Sequence, residues 1–167
     1  MVNHCLKIYF SQQELWLLKE KFIWWPATSS LIVSDLHLGK GISFIHQNLY
    51  LPPYDIQETL NKLKFFIDKF QSQKVICLGD SFHRPDSYLG FDQKERDFLN
   101  SIIISVPEWC WIYGNHDHVL PPDLKGKKLP FIKEKTIEFH HAVSHTTEKT
   151  AAIIGHYHPK YTLNFKK

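Results

Sequence analysis

The chain has 167 residues, a formal net charge of +3, 43% hydrophobic residues and 22% charged residues. This length predicts one domain over residues 1–167, with a core large enough to need no disulfide staples. The composition is that of an ordinary globular protein, which excludes a fibrous or mainly disordered chain. The small positive charge does not by itself establish a nucleic-acid partner.

The cysteines indicate a reducing compartment. The sequence has three cysteines, Cys5, Cys77 and Cys110, and no Cys-x-x-Cys pair. We therefore expect reduced thiols, with Cys77 and Cys110 buried. The N-terminus lacks a basic stretch followed by an apolar run, and no apolar segment approaches the ~18 residues that span a bilayer. We therefore expect a soluble, cytoplasmic protein.

The first half of the chain predicts strands followed by a helix. The stretches LKIYF, ELWLL and KFIWW predict a meander of short strands, and a buried strand at 30–34 ends at the polar run DLHLGK. Pro52 and Pro53 announce a helix with Asp55 and Glu58 as its capping pair. One helical face is apolar, at spacings of four and three: Ile56, Leu60, Leu63, Ile67 and Phe70.

The second half repeats this organisation. A buried strand at 74–78 ends at Gly79-Asp80, and Asp92 with Glu95 caps a helix over 92–104. The remaining predictions are a strand at 108–113 ending at GNHD, a loop at 120–130, and strands at 131–134, 136–144 and 150–154, the last ending at GHYHP. Alternating strands and helices predict an α/β fold, in which ligands gather beyond the carboxyl ends of the strands.

The polar motifs at these strand ends carry the chemistry. Asp35 and His37 are two residues apart, so in an extended segment both side chains point the same way and can chelate one ion. A glycine before Asp80 permits a tight turn, and the two carboxylate oxygens of Asp80 can bridge two cations. Asn115 offers a neutral carbonyl oxygen, while His116 beside it can donate a proton to a leaving group.

Each motif is a weak signal alone, but the set predicts a centre of two divalent ions. The first ion would take Asp35, His37 and His158; the second would take Asn115, His145 and His156; Asp80 would bridge them. Carboxylate and imidazole ligands without a thiolate suit manganese, iron, zinc or nickel, and we expect Mn²⁺. Two such ions activate water and neutralise phosphoryl oxygens during in-line attack, so the pattern predicts a phosphoesterase.

Taken in order, the motifs DLH, GD, GNHD, H and GHYH resemble those of the calcineurin-like metallophosphoesterase superfamily over about residues 30–160. The resemblance implies a four-layer αββα sandwich, in which two packed sheets are flanked by helices. It also implies the ligand roles above, with His116 as the acid that protonates the leaving group.

A narrower resemblance is carried by WWPATSSLIVSDLHLGKGISF and LGDSFHR. These segments resemble the bacterial ligase-associated DNA-damage-response endonucleases. The resemblance implies an endonuclease or phosphodiesterase that processes DNA in repair, in functional association with a DNA ligase and a helicase.

The sequence departs from the superfamily pattern in two places. His83 stands where many members have an acidic residue; with Lys40, Arg84 and Asp117 it is a candidate for contact with the substrate or with the groups around the metal. The family pattern also continues for several strands after GHxHP, whereas this sequence stops at Lys167, so truncated C-terminal strands are expected.

Two alternatives remain open at this stage. The same chemistry suits a phosphodiesterase or phosphatase that acts on small nucleotides in a narrow pocket. A different class is a catalytically impaired protein that binds metal or a partner through a truncated C-terminus. A metal-dependent amidohydrolase is disfavoured because the GNHD motif has no role in it.

Overall fold

The computed structural model describes residues 5–41, 55–143 and 150–158. Those ranges contain two long α-helices, α1 (Asp55–Phe70) and α2 (Gln93–Ile104), two short 3-10 helices (Pro26–Thr28 and Ser87–Gly90) and ten strands. The strands are β1 (Cys5–Phe10), β2 (Gln13–Leu18), β3 (Ile23–Trp25), β4 (Ser30–Val33), β5 (Lys74–Cys77), β6 (Glu108–Ile112), β7 (Lys127–Leu129), β8 (Ile132–Glu134), β9 (Ile137–His140) and β10 (Ala151–Ile154).

Most predicted elements are present. The N-terminal strands form the expected antiparallel meander from β1 to β4. Asp92 caps the N-terminus of α2, and both hydrogen bonds of its capping box with Glu95 are formed. Pro52 and Pro53 lie outside the described residues. The predicted loop at 120–130 was wrong at its end, because residues 127–129 pair in parallel with β6 and form β7.

The strands make two sheets. The larger has the order β1-β2-β3-β4-β5-β6-β7 and is parallel from β4 to β7; the smaller has the order β10-β9-β8. Parallel strands need crossover connections, and α1 and α2 supply them between β4, β5 and β6. The carboxyl ends of β4, β5 and β6 therefore lie side by side at one edge of the sheet.

Alternation along the strands gives each face of the large sheet its own core. Leu31 and Val33 pack with the two helices, whereas Ile32 packs with the small sheet, where Trp25 and Phe139 are both fully buried. The layers are thus helices, large sheet and small sheet. This confirms the α/β class with two packed sheets; a second helical layer is not seen within 5–41, 55–143 and 150–158.

Neither helix of the described part of the chain is long and apolar enough to cross a membrane. Cys77 and Cys110 are free thiols and are buried as predicted. Burial raises the pKa of the Cys110 thiol to about 11, which keeps it protonated and unreactive at neutral pH.

We predict that Phe139→Ala lowers the free energy of unfolding by about 3–5 kcal/mol, because it opens a cavity between the two sheets. Phe139 is 0% exposed and its ring centroid lies 5.8 Å from that of Trp25. Phe65→Ala, on the exposed side of α1, is the matched control and should cost far less. Urea denaturation measures both; equal losses would contradict the packing of the two sheets.

Candidate metal centre

The loops that follow β4 and β5 are joined by their backbones. The N–H groups of Asp35, His37 and Leu38 donate to the carbonyl oxygens of Gly79, Asp80 and Ser81 at 3.2, 3.0 and 2.8 Å, and His83 donates back to Leu38 at 3.0 Å. The parallel pairing of the two strands therefore continues beyond their ends. It brings the first predicted motif alongside the second.

The first ligand cluster consists of Asp35, His37 and His158. One ligand atom of each lies within 4.8 Å of the others, and His158 Nε2 is 3.4 Å from Asp35 Oδ1. Asp35 Oδ1 and His37 Nδ1 are buried without a hydrogen-bond partner, while Asp35 Oδ2 accepts a hydrogen bond from Ser34. Buried polar atoms are nearly always satisfied, so these two atoms mark a place for a cation.

The second ligand cluster consists of Asp80, His141 and His156, whose ligand atoms also lie within 4.8 Å of one another. His141 Nδ1 donates to the carbonyl oxygen of Leu78 at 2.8 Å, which leaves the lone pair on Nε2. That Nε2 is buried without a hydrogen-bond partner and lies 3.3 Å from Asp80 Oδ2. Asn115 adjoins the cluster through its amide Nδ2, 3.2 Å from His156 Nδ1.

His141 is a site residue that our sequence reasoning missed. We predicted His145 for this place, but His145 lies in 144–149, outside the described residues. The predicted strand 136–144 ran too far: β9 ends at His140, so His141 is the first residue beyond it. The rule that polar residues at strand ends form the site would have selected His141 had the strand end been placed correctly.

Asp80 belongs to the second cluster and also contacts the first, since its backbone carbonyl oxygen accepts the N–H of His37 at 3.0 Å. It is 2% exposed; its Oδ1 accepts the backbone N–H of His116 at 2.8 Å, and its Oδ2 faces His141. Burial lowers the pKa of His37, and the negative charge of the Asp80 carboxylate raises it again in part. A lowered pKa keeps His37 neutral near pH 7, the form that binds metal. The bridging role of Asp80 stays a prediction.

His116 faces the first cluster, and His118, two residues on, is exposed. His116 Nδ1 lies 2.9 Å from the carbonyl oxygen of His83 and donates to it, so Nε2 is the atom that can exchange a proton with a substrate. The ring centroids of His116 and His37 are 5.0 Å apart, and those of His116 and His83 are 5.8 Å apart. These three histidines form a third group of close nitrogen atoms.

The other residues predicted to contact the substrate or the groups around the metal are His83, Arg84, Lys40 and Asp117. His83 belongs to the third group, and its pKa is lowered by burial first and then by the charges of His116, Lys40 and Arg84. Arg84 pairs its Nε with Asp86 at 3.3 Å, its side chain is 57% exposed, and its contact with a substrate stays a prediction. Lys40 is exposed and acts on His83 through its charge alone.

Asp117 belongs to none of the ligand clusters found among the described residues, but its carboxylate connects the loops that follow β5 and β6. Its carboxylate accepts the backbone N–H groups of Asp80, Ser81 and Phe82 at 3.0, 2.7 and 3.1 Å, and that of Gly114 at 2.9 Å. The residue is 1% exposed, and this burial raises its pKa against the effect of the N–H donors. One carboxylate thus joins the loop after β5 to the loop after β6.

The backbone is strained at the candidate ligands. Positive φ angles of 36–62° occur at Asp35, His37, Asp80, His156 and His158, a conformation that costs non-glycine residues of order 1–3 kcal/mol each. Such strain persists only where surrounding contacts impose it, and it concentrates at functional sites.

The residues present fit a pair of divalent ions. Two adjacent clusters offer imidazole nitrogens and carboxylate oxygens, three of these atoms being buried without a hydrogen-bond partner in the described ranges. This donor set without thiolate matches manganese, iron, zinc and nickel. Asp35, His37 and His158 would hold one ion, and Asn115, His141 and His156 the other, with Asp80 able to reach both.

Comparison with known proteins bears on the family and the fold. The family model for calcineurin-like phosphoesterases matches residues 29–162. Among solved structures, the crystal structure of nuclease MPE from Pseudomonas putida is similar, with a TM-score of 0.74 and 24% sequence identity over 96% of this chain and 76% of that chain. At that identity the likeness shows a common fold. The comparison with curated proteins gives no match.

We predict that Asp117→Asn weakens Mn²⁺ binding by about 10–100-fold, the usual effect of removing a group that orients metal ligands. The new amide NH₂ would face backbone N–H donors, so the loops after β5 and β6 would separate. Titration calorimetry measures the affinity. Asp123→Asn, at an exposed position, is the matched control, and unchanged Mn²⁺ affinity in Asp117→Asn would contradict this role.

Proposed function

The chain belongs to the calcineurin-like phosphoesterase family, and we propose that it hydrolyses phosphodiester bonds in DNA with two divalent metal ions. One observation carries the proposal: the cluster of Asp35, His37 and His158 and the cluster that contains Asp80 lie at neighbouring strand ends, where the His37 N–H donates to the Asp80 carbonyl oxygen, and His116 lies beside the first cluster. This arrangement provides places for two cations and a proton donor around one substrate phosphate. Mn²⁺ is the ion we propose for both places.

The ions, when bound, would supply positive charge to the phosphoryl oxygens and lower the pKa of a water molecule. The protein residues do the remaining work. Asp35, Asp80 and the imidazoles around them would hold the ions at the place where the phosphate binds. The hydrogen bonds that backbone N–H groups of two loops donate to the Asp117 carboxylate keep these ligands at a constant spacing, so little reorganisation is needed during the reaction.

His116 is the proposed general acid. Its Nδ1–H donates to the carbonyl oxygen of His83, which orients the ring, and a proton on Nε2 would pass to the oxygen that leaves phosphorus. His116 is exposed, so a polymeric substrate can reach it without passing through the protein interior.

The chemistry of the leaving group favours an alkyl ester of phosphate. The alkoxide that leaves from such an ester is strongly basic and needs a proton, which His116 can supply. Among such esters we choose DNA because of the fold shared with a nuclease and the resemblance of the DLHLGK and GDSFH segments to ligase-associated endonucleases. They also support a role in DNA repair alongside a ligase and a helicase, and the reduced thiols support a cytoplasmic location.

We predict that His116→Ala lowers Mn²⁺-dependent cleavage of single-stranded DNA by about 10²–10⁴-fold, the usual contribution of general acid catalysis. Hydrolysis of bis-p-nitrophenyl phosphate should fall much less, because p-nitrophenolate leaves readily without a proton. Initial rates on the two substrates provide the comparison. His118→Ala is the matched control, since His118 is exposed and lies outside the three histidine groups.

Three outcomes would contradict parts of this proposal. Equal losses on both substrates would assign His116 to ligand binding or folding rather than to proton donation. Hydrolysis of cyclic or mononucleotides without DNA cleavage would favour a small-nucleotide phosphodiesterase. Bound Mn²⁺ without hydrolysis of any ester would identify a metal-binding protein that is not an enzyme.

A further inference from the structure

A cavity of about 210 Å³ adjoins the second ligand cluster. Asn115 and His141 line it, so the cavity and the proposed position of the second ion share two residues. The rest of its wall comes from the end of β6 and from the segments before β8 and after β9, including Tyr113, Pro130 and Ala142. The cavity is therefore continuous with the site rather than a separate surface feature.

The cavity and the proton donor adjoin different ligand clusters. The ring of His116 lies against His37 of the first cluster, with 5.0 Å between ring centroids. His141 of the second cluster lines the cavity. A phosphate held between the two clusters would thus have His116 beside one of them and the cavity beside the other.

A phosphodiester has two ester substituents, and only one of them leaves. In an in-line displacement the leaving oxygen must lie near the proton donor, so it points towards His116. The other substituent stays on phosphorus and must extend elsewhere. We propose that the cavity binds this retained substituent, and that its natural occupant is one nucleoside. This inference rests on the proposed phosphodiesterase function.

The size and walls of the cavity suit such an occupant. It is smaller than the ~300 Å³ at which sites for drug-sized ligands begin, so it accepts one nucleobase rather than a longer segment. Pro130, Ala142 and Tyr113 supply apolar contact. The His140 ring is held in place by Phe131, with 5.3 Å between centroids and 10° between planes, and by Glu138 at 3.2 Å from Nε2. These contacts fix the orientation of His140 in the cavity wall.

The test uses p-nitrophenyl esters, which share one leaving group and differ in the retained substituent. We predict that kcat/KM for thymidine 5′-p-nitrophenyl phosphate exceeds that for methyl p-nitrophenyl phosphate by about tenfold or more, because binding of the remote nucleoside contributes to transition-state stabilisation. The ratio of the two values isolates the cavity, because both reactions expel the same p-nitrophenolate.

Filling the cavity should remove the preference. Ala142→Leu should bring the ratio of the two kcat/KM values close to one, and Ala142→Val should lower that ratio in part. Because valine is smaller, the Ala142→Val variant still tests the cavity if Ala142→Leu impairs folding. Ala27→Leu is the matched control: Ala27 is exposed at the opposite end of β4, so the ratio should be unchanged. Mn²⁺ content and the unfolding temperature are measured for each variant.

The outcomes separate this inference from the function on which it rests. Loss of the thymidine preference in the Ala142 variants alone, with normal Mn²⁺ content, supports the nucleoside site. Equal kcat/KM for the two esters, or a preference that Ala142→Leu leaves intact, overturns it while the phosphodiesterase stands. Absence of hydrolysis of both esters in the parent protein overturns the proposed function itself.

Discussion

The geometry of the site depends on the hydrogen bonds of one buried carboxylate. Asp117 accepts backbone N–H groups from Asp80 and the two residues after it, and from Gly114 in the neighbouring loop. Removing a carboxylate from water is costly, and several N–H donors together offset that cost. Because those donors belong to two different loops, the same interaction that satisfies Asp117 also fixes the distance between Asp80 and Asn115.

The rest of the fold places the two loops where Asp117 can join them. Parallel pairing of β4, β5 and β6 places three polar loops next to one another, and the cores on both faces of the large sheet hold the strands rigid. The small sheet adds His141 and His156 from the other side, at the ends of β9 and β10. Positive φ at the candidate ligands, including Asp35 and His158, is tolerated because neighbouring contacts impose it.

Sequence reasoning predicted the parts of this structure that local patterns determine. Alternating apolar runs located the strands, the Asp92–Glu95 pair located the start of α2, and the polar residues after each strand indicated the site. It failed where tertiary contacts decide. β7 exists because Lys127–Leu129 pairs with β6, a contact that the polar segment does not announce. The end of β9 was misplaced for the same reason, so His141 was overlooked, while the prediction of His145 concerns a residue outside the described ranges.

Two further features had no local signal. The four N–H bonds to Asp117 join loops that are distant in sequence, so its role in holding them could only be seen in three dimensions. Arg84 is a candidate phosphate ligand in the sequence, and its exposed pairing with Asp86 could only be seen in three dimensions. The motifs thus identify the chemistry, while the packing of the loops decides which individual side chains take part.

The most direct test of the account is the position of metal ions in a crystal of this protein grown with Mn²⁺, measured by anomalous scattering. The account predicts two peaks ~3.5–4 Å apart, the spacing of two-metal hydrolase centres. One peak should contact Asp35, His37 and His158, and the other Asn115, His141 and His156, with Asp80 touching both. A single peak, or peaks that Asp80 does not reach, would contradict it.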